Sequence, residues 1–180
     1  MEVQNELATH LRKHRLAQII FDPRLVRSFE YVVAAQVDEF RRLYGTEPRR
    51  LDGHHHMHLC ANVLWGRLLP AGTVVRRNFS FRPGEKSLGN RLYRGLVDRI
   101  LARRHHLVDF LFSLAPLEPV DRLDRIASIA RRFVVEVETH PVNPEEYRFL
   151  MGDEIVRRLG DLSIESRFAS PLRTDNKRMN

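Results

Sequence analysis

The chain reads as an α/β protein built on a parallel sheet, and three observations carry that reading. Apolar stripes of helical period alternate along the sequence with short β-branched runs. Glycine and proline punctuate the changes between them, at Gly45, Pro48, Pro70, Pro83-Gly84 and Pro141. Two histidine sites, at residues 54–58 and at His140, fall where predicted strands end, the rim at which ligands gather in this fold class.

Taken in order, a basic segment with His10 and His14 four residues apart opens the chain as a surface helix. Residues 21–44 give the clearest pattern, with Phe29, Val33, Val37, Phe40 and Tyr44 recurring at spacings of four and three. Arg41 and Arg42 occupy its last turn, where the helix dipole favours cations, Gly45 offers the stop and Pro48 prevents resumption. Residues 49–59 then read as a strand running into a loop, with Asp52, His54, His56 and His58 alternating onto one face and His55 and Met57 onto the other. CANVLWGRLLP predicts a short helix ended by Pro70, and GTVVRRNF a second strand from Thr73. Helices follow around residues 92–101 and 121–132, the latter with a stripe of Leu123, Ile126, Ile129, Ala130 and Phe133. FVVEVETHP is a third strand, and Asn143-Pro144 begins another helix, with Asn143 as cap and Pro144 in its first turn. No internal repeat or low-complexity segment is visible.

The 180 residues and 21.2 kDa suit one domain, expected over residues 1–169 with a polar, frayed tail at 170–180. A single cysteine, Cys60, excludes an intramolecular disulfide and a thiolate cluster, which suits a reducing, cytoplasmic setting. Cys60 itself reads as a small buried apolar residue. No stretch approaches the roughly 20 apolar residues of a membrane span. The net charge of +7 invites a polyanionic partner, but the arginines are scattered as pairs and the only lysines are Lys13, Lys86 and Lys177. Nucleic acid is therefore not the expected partner, and a basic nucleic-acid binder stands third among the readings.

Residues 52–58, DGHHHMH, place four histidines and an aspartate within seven positions. Neutral imidazole is the commonest metal ligand, and histidines at i and i+2 on a strand can converge on one ion. Asp52 could ligate directly, or accept a ring N–H from a ligating histidine and fix its tautomer. His105 and His106 read as a solvated helix end, and His140, from position alone, as a loop histidine after a buried strand.

LDGHHHMHL resembles the D-x-H-x-H-x-H motif of the YdjC-like carbohydrate deacetylases, the group that includes chitooligosaccharide and hopanoid-associated deacetylases. TVVRRNF resembles the strand and basic residues that follow it there, and VEVETHPVNPEEYRFL the late strand ending in a His-Pro pair. The resemblance spans residues 29–158. It implies a variant (β/α) barrel that uses a divalent metal ion, magnesium or zinc, to remove N-acetyl groups from amino-sugar oligosaccharides or glycolipids. It further implies His54 as a metal ligand, His56 and His58 as groups that orient substrate or support the site, and His140 as the acid for the leaving amine. Arg76 or Arg77 would position substrate or steady a neighbouring acidic group.

The family's opening Asp-Asp-Phe-Gly strand has no counterpart, because the sequence contains no Asp-Asp pair, and Ala8-Thr9-His10-Leu11 resembles the Gly-x-His strand only faintly. The expectation is a barrel incomplete at its N-terminal side. A start set at an internal methionine, a true fragment and a partner polypeptide all stay open, and a homo-oligomer is compatible. Beside the deacetylase stands a reading of another class, a non-catalytic carbohydrate-binding remnant of the same fold.

Overall fold

The computed structural model describes residues 2–165, apart from the side chains of Glu2, Arg15 and His54. The tail expected at 170–180 lies outside them. The architecture is mixed helix and strand, with parallel strand pairing. The chain divides into two compact units, one running to Arg76 and taking in residues 93–106, the other comprising residues 77–92 and those from 107 onward.

In the first unit, helix α1 (Glu2–Lys13) buries Leu7 and Leu11, four residues apart on one face, and packs on α2 (Val26–Tyr44), which buries Phe29 and Val37. As the sequence predicts, α2 ends at Gly45, whose φ of 66° is a left-handed conformation that glycine adopts without strain, and the Gly45 N–H donates to the Arg41 carbonyl. Between the helices, the backbone of Asp22 is clamped by Asn62. The Asn62 amide oxygen accepts from the Asp22 N–H at 3.0 Å, and its amide nitrogen donates to the Asp22 carbonyl at 2.7 Å. Asn62 is only 1% exposed, so this pair of bonds satisfies both ends of an amide that would otherwise be buried at a cost.

Strand β1 (Arg50–Leu51) pairs in parallel with β2 (Val74–Val75), the two joined through α3 (Ala61–Gly66). On its other side β2 bridges to His106, so Val74 and Val75 sit centrally and are buried. Cys60 is buried beside α3, where burial pushes its thiol up to about 12, in keeping with an inert apolar role. Helix α4 (Leu88–Leu101) begins earlier than its expected start near residue 92 and straddles the division between the units in sequence.

In the second unit, β3 (Phe110–Ser113) and β4 (Val135–Glu138) pair in parallel, with Phe110 opposite Val135 and Ser113 opposite Glu138. Helix α5 (Asp121–Ala130) makes the crossover and buries Leu123 and Ile126. Leu111 is wholly buried, and Phe110 meets Phe133 edge-on at 5.3 Å. Arg122, at the start of α5, donates to the carbonyls of Ser113, Leu114 and Pro116, which anchors the chain leaving β3. Helices α6 (Pro144–Met151) and α7 (Asp153–Leu159) follow, and Arg158 on α7 pairs with Asp124 on α5 at 2.7 Å.

The strands depart from expectation, and FVVEVETHP is extended only over Val135–Glu138. The predicted strand over residues 49–59 stops at Leu51 and the chain turns into a 3-10 segment, His54–Leu59. The strand from Thr73 shortens to Val74–Val75. Strand β3 was not anticipated, because FLFS is too short for a period to separate strand from helix and follows a basic, histidine-rich run. Among the described residues the strands form two two-stranded ladders.

Asn62→Ala is expected to lower the unfolding free energy by about 2 kcal/mol in urea titration, because it removes two buried bonds and strands the Asp22 amide and carbonyl. An unchanged midpoint would show that water substitutes for the clamp.

Candidate functional site

The histidine run begins where β1 ends, and its shape is set by one close approach. Gly53 lies so near His58 that a Cβ on it would stand 2.6 Å from the His58 backbone nitrogen, so only glycine fits. The Gly53 N–H donates to His58 Nδ1 at 2.9 Å, and the His56 N–H donates back to the Gly53 carbonyl at 2.8 Å. The chain therefore closes into a loop instead of continuing extended. The predicted alternation of Asp52, His54, His56 and His58 onto one strand face is lost for this reason.

Closing the loop forces His55 (φ 51°, ψ 33°) and His56 (φ 58°, ψ 25°) into consecutive left-handed conformations. For residues with a Cβ each such conformation costs about 1–2 kcal/mol. Strain of this kind persists only where the surroundings over-determine it, and it concentrates at functional sites.

His58 is 5% exposed, and both of its ring nitrogens are committed. A backbone carbonyl can only accept and a backbone N–H can only donate, so the bond of 2.8 Å to the Arg76 carbonyl places the proton on Nε2 and leaves Nδ1 to accept from Gly53. His58 is thus a neutral latch between the loop and β2, with no lone pair left for a metal. Burial lowers its pKa, against smaller opposing effects from the Arg76 carbonyl and Asp52.

Asp52 completes the knot. Its Oδ2 accepts from Arg76 Nη1 at 2.8 Å, and its Oδ1 stands 3.8 Å from His58 Nδ1. Arg76 thereby meets this corner three times: its N–H donates to the Leu51 carbonyl, its carbonyl holds His58, and its guanidinium pairs Asp52. Asp52, His58 and Arg76 are therefore brought together in the first unit. His55 and Asp52 also border a cleft of about 500 Å³ whose wall is largely apolar, including Phe29, Val33 and Met57, a size common for small-molecule sites. The side chain of His54 lies outside the described part. Among the described residues no three His, Cys, Asp or Glu side chains are gathered as a metal ion requires.

Arg77 and His140 belong to the second unit. Arg77 Nη1 donates to the carbonyls of Val108 and Asp109, at the approach to β3. His140 follows the carboxyl end of β4 and is half exposed, with Nε2 3.8 Å from Glu138 and Nδ1 3.6 Å from Glu146. Glu146, 1% exposed, accepts from the His140 N–H at 2.7 Å. Neither glutamate stands out in the sequence. The available signal for Glu146 was its place three residues after the Asn143 cap, where a helix-capping acid is expected.

No known protein family, curated protein or solved structure matches the chain. The likeness to the YdjC-like deacetylases therefore rests on the motifs quoted above. Among the described residues no helix is long and apolar enough to cross a membrane.

Two outcomes follow from this corner. An unfolded histidine titrates near 6.5, and His58 in the folded chain titrates below that. On acidification the unfolded chain takes up the proton first, so the stability His58 contributes is complete above that ordinary value and is lost as pH falls through the folded one. The urea midpoint should decline across this window in the parent chain, and His58→Gln should flatten that decline. His55→Gly should raise the midpoint by about 1 kcal/mol of stability, because glycine accepts the left-handed conformation; a lowered midpoint would show that the turn is unstrained.

Proposed function

We propose that this chain is a carbohydrate deacetylase-type domain that acts on N-acetylated amino sugars, in free oligosaccharides or glycolipids, on a variant (β/α)-barrel scaffold. The observation that carries the reading is the pair of left-handed histidines, His55 and His56, held directly beyond the carboxyl end of β1 and beside Asp52. Support comes from the parallel pairing in both units and from His140 at the carboxyl end of β4. Hydrolysis of an amide needs an acid to protonate the departing amine, and a half-exposed imidazole steadied by carboxylates suits that role. The pairing of Arg76 with Asp52 suits an arginine that steadies an acidic group of the site.

A divalent metal belongs to this reading through the motif resemblance, with His54 as the implied ligand. The described donors do not by themselves make a metal set: His58 has both nitrogens engaged and the Asp52 charge is met by Arg76. No step is therefore assigned through the ion. That same observation favours the second reading, a carbohydrate-binding remnant that no longer hydrolyses.

The purified chain, supplied in turn with magnesium and zinc, is expected to release acetate from N,N′-diacetylchitobiose, and His140→Ala to reduce the rate by about a hundredfold or more. Metal content measured after dialysis should fall on His54→Ala and stay unchanged on His105→Ala. Sugar binding without acetate release under either metal would favour the remnant, and absence of both would remove the carbohydrate reading.

A further inference from the structure

Among the described residues of the second unit Glu146 is the most deeply buried acid, with 2% of its side chain exposed, and helix capping does not explain its burial. In a capping box the acid at the third helical position returns to the N–H of the cap residue. Here the Asn143 N–H donates instead to the His140 carbonyl at 2.8 Å, and the Asn143 side chain caps α6 by accepting from Glu145. Glu146 reaches past the cap. Its Oε2 takes the His140 N–H at 2.7 Å, and its Oε1 stands 3.6 Å from His140 Nδ1.

A carboxylate removed from water is strongly disfavoured unless something compensates its charge. The compensation in view is one residue, His140, engaged through both its backbone and its ring. Glu138 faces the other ring nitrogen from 3.8 Å but retains 24% exposure, so solvent screens its charge more than that of Glu146. The two nitrogens of His140 are thus electrostatically unequal.

We propose that Glu146 is a positioning residue for His140. Its buried carboxylate holds the backbone at the end of β4 and draws the ring proton to Nδ1, leaving Nε2, on the half-exposed imidazole, as the nitrogen that exchanges protons with a bound substrate. The role of His140 as the acid rests on the function proposed above, whereas the tautomer assigned by Glu146 does not. In the forward direction Nε2–H gives its proton to the leaving nitrogen, and the resulting neutral ring keeps its Nδ1–H toward Glu146.

The experiment uses the full chain labelled with ¹⁵N-histidine, observed at about pH 8.5, above the ordinary imidazole range. His140→Gln identifies the His140 resonances. Neutral His140 is expected to carry its proton on Nδ1, and Glu146→Gln, which keeps an oxygen for the His140 N–H but removes the charge, should shift the population toward Nε2–H. A dominant Nε2–H form in the parent chain overturns the proposal even if Glu146→Gln fails to fold, and so does a population that Glu146→Gln leaves unmoved. In acetate release, Glu146→Gln should lower kcat about tenfold with KM unchanged, and should cost nothing further in a His140→Ala background. Additive losses in that double variant overturn the proposal. A parent chain with no acetate release defeats the deacetylase reading alone, because the resonance measurement still decides the role of Glu146.

Discussion

The first unit is organised by the engagement of Arg76 with three groups at the carboxyl ends of two adjacent strands. An arginine so little exposed must find partners for its charge and for its backbone, and this one finds Asp52, His58 and Leu51. Because Asp52 and His58 flank the histidine run, the same contacts fix both ends of the loop that carries His55 and His56. Removing the guanidinium would leave Asp52 unpaired beside a neutral ring, while the backbone bonds of Arg76 to His58 and Leu51 would remain. The left-handed pair would keep the His58 latch but lose the anchor of Asp52 at the other end of the loop.

The second unit repeats the logic with different groups. There the end of β4 is held by an acid from the following helix, which grips the His140 backbone and faces its ring. In both units a strand end bearing histidine is secured by a buried charged side chain from a later element. Within each unit the paired strands are parallel, so their carboxyl ends point the same way.

Much of this was legible from residue order. Helix α2 with its Gly45 stop, the Asn143-Pro144 start of α6, the inert Cys60 and the parallel α/β character all follow from local chemistry, in which a capping group or an apolar stripe lies within a few residues of what it controls. The histidine run was legible as a site but not as a shape. Its turn depends on Gly53 meeting His58 and on His58 reaching Arg76, eighteen positions away, and no period along the chain encodes such a contact. Strand β3 was hidden for a related reason, because three apolar residues and a serine become a strand only through the ladder with Val135–Glu138. Glu146 looked like ordinary helix-start decoration, and only its burial beneath His140 marks it.

The seclusion of Cys60 has a practical side. It is the sole thiol in the sequence, it is enclosed against α3, and it stays protonated far above neutrality. A maleimide or spin label at pH 7 therefore meets no competing native sulfur, since the thiolate is the reactive form. A cysteine introduced at an exposed position such as Trp65 or Val142 can carry a single probe in the otherwise unaltered chain, which opens either unit to mobility measurements.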